Sequence, residues 1–96
     1  MLILKSLARG AKHGYGIAEH IHQMSEDVLE VEEGSLYPAL QRLLIQGWVK
    51  AEWGQSDNNR RARFYSMTSA GRKQLERELS EFERVMRAIT RVIQTA

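Results

Sequence analysis

Three arginines, Arg60, Arg61 and Arg63, stand almost side by side directly behind Asn58 and Asn59, with Lys50 a little upstream. Guanidinium and carboxamide groups gathered this way suit phosphate oxygens and the edges of a nucleic-acid groove. A second group, Ser35, Tyr37, Pro38, Gln41 and Arg42, combines hydroxyl, amide and guanidinium side chains with a single proline. On one helix these side chains would fall near its N-terminal half, where unpaired backbone amides also favour phosphate. Tyr15, between Gly14 and Gly16, either donates its hydroxyl to a phosphate or simply packs.

Other chemistries find little support. The chain has no cysteine, which excludes a disulfide framework, a thiolate zinc site and a thiol nucleophile. His20 and His22 are two residues apart, about 200° around a helix, so they cannot share a metal as an i, i+4 pair can. His13 has no carboxylate at a recognised spacing, and neither a phosphate-binding glycine loop nor a Gly-x-Ser-x-Gly elbow occurs. No enzymatic activity, metal or cofactor is expected.

With 96 residues the chain is one domain's worth, 43% hydrophobic and 27% charged. Its longest apolar runs are too short to cross a bilayer, and without a secretory leader the default location is the cytoplasm. The net charge of +2 hides an uneven distribution. Residues 19–33 carry six acids, Glu19, Glu26, Asp27, Glu30, Glu32 and Glu33, and no Lys or Arg. Residues 34–73 carry seven Lys and Arg against Glu52 and Asp57. A basic middle beside an acidic flank fits a surface that faces a polyanion, or a solvated face with scattered charge.

The elements that position these groups follow from periodicity. Leu2, Ile3, Leu4, Leu7 and Ala8 read as a short, mostly buried helix ended by Gly10. His13-Gly14-Tyr15-Gly16-Ile17 reads as a glycine-bracketed turn before a second helix with Ile17, Ile21, Met24 and Val28 on one face. Leu29-Glu30-Val31 alternates as a short strand would. A third helix opens at Glu33 to Pro38, capped by Ser35 or Gly34, with Leu36, Leu40, Leu43 and Leu44 inward and Gly47 as its C-terminal stop. Trp48 to Trp53 and Arg61 to Met67 form a hairpin around the turn-rich Gly54 to Asn59, with Trp48 and Trp53 as wing-base core residues. A long helix, capped by Thr68 or Ser69, then runs to Thr95 with Leu75, Leu79, Phe82, Met86, Ile89 and Ile93 in a heptad seam. This order predicts a mainly α protein with a small β-hairpin: a winged helix-turn-helix over residues 1–67, followed by a long C-terminal dimerisation helix over 68–96.

His13-Gly14-Tyr15-Gly16-Ile17, Gly34-Ser35-Leu36-Tyr37-Pro38-Ala39-Leu40 with Arg42-Leu43, Gly47-Trp48-Val49, and Arg60-Arg61 with Tyr65, Thr68 and Gly71 strongly resemble the PadR family of bacterial transcriptional regulators. The compact length resembles the subgroup in which one C-terminal helix replaces a larger dimerisation domain. The resemblance implies a homodimer that binds a palindromic operator in double-stranded DNA, usually as a repressor. It also implies release, in some members, by small hydrophobic or phenolic effectors, with Phe82 at a position resembling an aromatic that lines a pore between subunits. Family members usually carry more residues ahead of the first helix, so an upstream start or a trimmed chain is expected.

The expected DNA-contacting set is therefore Tyr15, Ser35, Tyr37, Pro38, Gln41, Arg42, Lys50, Asn59, Arg60, Arg61 and Arg63. The expected dimer interface is Leu4, Leu75, Leu79, Phe82, Met86, Ile89 and Ile93, with Phe82 also a candidate effector contact. Arg42 could instead pair with an acid of the 26–33 stretch. The competing reading is a winged-helix module that binds protein through its acidic loop and apolar helix, although such a module has no need of the Asn-Asn-Arg-Arg wing.

Overall fold

Apolar residues from the first three helices, the hairpin and the start of the last helix converge on one core of Leu4, Leu7, Ile17, Ile21, Leu36, Leu40, Val49, Tyr65 and Leu75. The computed structural model describes residues 1–95. Their order is α1 (Leu2–Ser6), β1 (Lys12–His13), α2 (Gly14–Met24), α3 (Glu33–Ile45), β2 (Val49–Gln55), β3 (Arg61–Met67) and α4 (Ser69–Gln94). Mainly helical and carrying a small antiparallel sheet, the architecture is a winged helix-turn-helix with a long final helix.

The sheet has three strands, not two, in the order β1-β3-β2. Lys12 and His13 pair with Tyr65 and Phe64, so the stretch expected to be a turn supplies an edge strand and then enters α2 directly. The reason is local. The His13 imidazole accepts from the Gly16 amide at 3.0 Å and caps the helix, a role that a search for Ser, Thr, Asp or Asn overlooks.

Two further expectations are corrected between α2 and α3. Residues 29–31 form no strand. The chain there is turned by Glu26 and Asp27, with φ of 53° and 66°, and held by His22, whose ring reaches the Leu29 carbonyl at 3.1 Å and the Asp27 carboxylate at 3.2 Å. Helix α3 begins earlier than expected, with Glu32 at the cap position, so Ser35 and Gly34 lie within its first turn and Pro38 lies in its second. Proline lacks the amide that would bond the Gly34 carbonyl four residues back, and Gly34 is exposed to solvent. At the other end Gly47 takes φ +77°. Its amide donates to Leu44 O at 3.1 Å and that of Trp48 to Leu43 O at 3.0 Å, the paired bonds of a Schellman stop.

Thr68 caps α4 by accepting from the Gly71 amide at 3.0 Å, and its own hydroxyl donates to the Gly47 carbonyl at 2.6 Å. The 26 residues of α4 extend about 39 Å. Only the first part lies on the core, through Leu75 and Leu79. The overhang gives a radius of gyration of 15.4 Å, against about 13 Å for a compact chain of this length.

Candidate nucleic-acid interface

Burying Leu36 and Leu40, each 1% exposed, turns the opposite side of α3 outward. Ser35, Tyr37, Pro38, Gln41 and Arg42 all lie on that exposed side. Their spacings of three and four keep them along adjoining rows. Only Ser35, Tyr37 and Pro38 fall in the first two turns, because α3 starts at Glu33 and ends at Ile45; Gln41 and Arg42 lie past the middle of the helix, Arg42 in its last turn. Tyr37 also reaches sideways: a Cβ on Gly14 would lie 2.7 Å from its hydroxyl oxygen, so a larger residue there would push the ring from this position. Tyr37 is thereby set against the start of α2, next to the exposed Tyr15.

The wing is built by the register Val49↔Met67, Ala51↔Tyr65, Trp53↔Arg63 and Gln55↔Arg61. Its tip closes with the Ser56 amide donating to Arg60 O at 2.8 Å and the Asn59 amide donating to Ser56 O at 2.9 Å, while Asn59 takes φ 60°. This is a three-residue hairpin loop ending in a left-handed residue, where asparagine is among the favoured types. Side chains alternate across a strand, so Arg61 and Arg63 share the face of Trp53 and Tyr65. The guanidinium carbon of Arg61 lies 4.8 Å from the Trp53 ring centre and that of Arg63 lies 5.9 Å from the Tyr65 ring centre.

A cleft of about 640 Å³ separates the wing from α2 and α3. Of the expected residues it brings together Tyr15, Tyr37, Arg60, Arg61 and Arg63. Gln41, Arg42, Ser35 and Pro38 lie on α3 outside the cleft lining, and Asn59 sits at the wing tip. Lys50, which pairs with Ser66, is on the other face of the wing from Arg61 and Arg63. His13, Glu19, Trp53, Asn58 and Tyr65 also line the cleft. For Trp53 the signal was available: it is an even number of residues from Val49, so strand alternation places both on one side, but its distance from the core leaves it 61% exposed instead of buried at the wing base. Trp48 does pack against the core.

Among the described residues the ion pairs are Met1 amino to Glu78 and Arg84 to Glu81, and the His22 ring also meets the Asp27 carboxylate. None takes up Arg42, Lys50, Arg60, Arg61 or Arg63, so Arg42 does not pair with the acidic stretch. No group of three His, Cys, Asp or Glu residues able to hold a metal occurs among the described residues.

The residues expected at a subunit interface divide in two. Leu4, 0% exposed, and Leu75, 5% exposed, are enclosed by the chain's own core and offer a second chain no usable surface. Leu79 is partly buried against that core. Phe82, Met86, Ile89 and Ile93 stand exposed beyond it, joined by Val85 and Val92.

A short buried helix, two helices around an acidic turn, a wing hairpin within a three-stranded sheet and a long terminal helix are the architecture of winged-helix proteins. The sequence matches the PadR-like family of transcriptional regulators over residues 3–77, and the chain belongs to that family. A transcriptional regulator from Clostridium thermocellum is similar at 27% identity with a TM-score of 0.87, covering 97% of this chain and 90% of that one. Bacillus subtilis PadR, solved in complex with operator DNA, is similar in fold with a TM-score of 0.71 at 22% identity, covering 81% of this chain and 43% of that one. A 37.1 kDa protein in transposon TN4556 of Streptomyces fradiae is 40% identical over 85 residues, and the chain spans 23% of its length. No helix among the described residues is long and apolar enough to cross a membrane.

Proposed function

We propose that the chain is a sequence-specific DNA-binding repressor that acts as a homodimer on a palindromic operator. The observation that carries this reading is the set of arginines exposed and free of ion pairs among the described residues, Arg42 on the outward side of α3 and Arg60, Arg61 and Arg63 on the wing. In the proposed complex Gln41, Arg42 and Tyr37 meet base edges in the major groove, and the α3 N-terminus and Ser35 meet phosphate. Arg60 and Arg61 follow the backbone or the adjoining minor groove, with Asn59 at the tip. Residues 1–67 read DNA and residues 68–96 join two copies. Two-fold pairing would set the two α3 helices about 34 Å apart, one turn of the duplex. Bacillus subtilis PadR, which has a similar fold, was solved in complex with operator DNA, and this supports DNA binding by the fold.

A small hydrophobic or phenolic effector acting through Phe82 belongs to the same proposal. Titrating the protein with a panel of planar aromatic compounds while following tryptophan fluorescence tests it, and an unchanged signal throughout would count against the effector.

The direct test of DNA reading is a gel shift against the gene's own promoter region across a range of salt. A log–log slope that is steep and negative, together with sequence preference, is expected. Flat and weak binding to every duplex would overturn the reading and favour a protein-binding module.

A further inference from the structure

Trp53 is a large ring held in water without an evident packing reason. It is 61% exposed, and it belongs neither to the core nor to the hydrophobic residues packed against it. What it touches is Arg61, whose guanidinium lies over the ring at 4.8 Å. Arg63 repeats the arrangement on the same face with Tyr65 at 5.9 Å, where the ring is 5% exposed and fixed by the core.

We infer that Trp53 is a positioning residue: it holds the Arg61 guanidinium over its ring so that its unpaired N–H donors are presented to a DNA phosphate. The inference rests on the DNA-binding reading above and adds how the wing achieves it. An arginine on a surface strand ordinarily samples many rotamers, and a phosphate contact must overcome that freedom. Stacking on an indole restricts the plane of the group while leaving its edge donors unused, because the attraction runs through the ring face. Glu19 and Asp57 line the same cleft, but neither they nor any other acid is ion-paired with these donors among the described residues, and Glu52 lies on the opposite face of the sheet. Arg61 and Arg63 are two residues apart on one strand, about 7 Å. That is comparable with the step between successive phosphates on one nucleic-acid strand, so the two stacked arginines form two rungs of one backbone clamp.

Phosphate contact does not depend on sequence, so a random-sequence duplex at low salt is a sufficient probe. Trp53→Leu is expected to weaken binding about 3- to 10-fold and to reduce the salt slope by about one, with the unfolding temperature unchanged because the ring supports no core. Trp53→Phe should restore most of the loss. Arg61→Lys, which keeps the charge but has no plane to stack, should bind as weakly as Trp53→Leu. In an Arg61→Ala background the Trp53→Leu change should cost nothing more, because the group it positions is gone. In the free protein, the Arg61 side-chain protons should resonate upfield under the indole ring current and lose that shift in Trp53→Leu. Wild-type affinity in Trp53→Leu, losses that add in the double variant, or unshifted Arg61 protons would overturn this role while leaving the DNA reading intact. A wild-type protein that binds no duplex at all would remove both.

Discussion

A Cβ placed on Gly71 would overlap the carbonyl oxygen of Trp48 and lie 3.0 Å from Cγ of Met67. The first turn of α4 therefore rests on the backbone of the turn that ends α3. In an open helix Gly→Ala would stabilise by up to about 1 kcal/mol. Here the methyl group meets backbone that has nowhere to go, a loss of about 1–3 kcal/mol. Gly71→Ala is expected to lower Tm by at least about 5 °C in a thermal melt, and an unchanged or raised Tm would show that the contact is slack.

Thr68 fastens the same junction with a hydroxyl that accepts from Gly71 and donates to Gly47. Replacing a threonine cap by alanine costs about 1 kcal/mol, and here a second bond is lost with it. Thr68→Ala should therefore melt several degrees below wild type, while Thr68→Ser, which keeps the hydroxyl, should recover most of the difference. Equal melting of the two variants would assign the effect to the lost methyl group and not to the bonds.

The two sides of α3 are legible in the sequence, because the four-residue spacing of Leu36 and Leu40 against Gln41 and Arg42 has few other solutions. Gly47 and Thr68 mark helix ends through ordinary capping chemistry. The third strand is not legible: two residues, Lys12 and His13, carry no alternation, and they are extended only because β3 offers an unpaired edge. The α3 cap is misplaced by the sequence pattern because Glu32 makes no side-chain capping bond, and the nearest conventional cap residue is Ser35. Leu4 resembles an interface residue because periodicity identifies a buried face without saying which chain buries it. The cleft depends on the approach of the wing to α2, a tertiary relationship that no local pattern contains.

Base reading and backbone holding should separate by residue. Gln41→Ala is expected to redistribute preference among operator variants, with about 1–3 kcal/mol of discrimination lost at the base it meets. Arg60→Ala should weaken binding to all sequences alike and flatten the salt dependence by about one unit of slope. Competition binding against a randomised duplex library measures both, and a uniform loss from Gln41→Ala would move that side chain off the bases.

On α4 the Arg84 guanidinium donates to Glu81, with Nε to Oε2 at 3.1 Å, and this hydrogen bond with the adjacent charge holds the Glu81 carboxyl below its ordinary value of 4.5. The unfolded chain then takes up the proton more readily. The stabilisation is complete above the ordinary carboxylate value and disappears as pH falls through the lower folded one. Both side chains are exposed, so the effect is small. Glu81→Gln should melt slightly below wild type at neutral pH and converge with it on acidification, and a gap that widens in acid would contradict the assignment.

The exposed half of α4 makes the strongest demand on a second chain. Phe82, Val85, Met86 and Ile89 are 39–47% exposed and Val92 and Ile93 are both 73% exposed, all continuing the seam whose first members, Leu75 and Leu79, are taken up by the protomer's own core. An apolar stripe of this length left in water would be an aggregation liability, whereas a two-fold pairing of such helices covers it with an identical stripe. Wild-type protein is expected to scatter light as twice 11.1 kDa at micromolar concentration and to melt at a temperature that rises with concentration. Phe82→Asp with Ile89→Asp should yield a helical monomer whose Tm is independent of concentration, since neither side chain belongs to the protomer's core. The variant should bind a half-operator about as the wild type does but lose the added affinity of the full palindrome. A wild-type mass near 11 kDa, or full palindrome affinity in the variant, would sink the dimer.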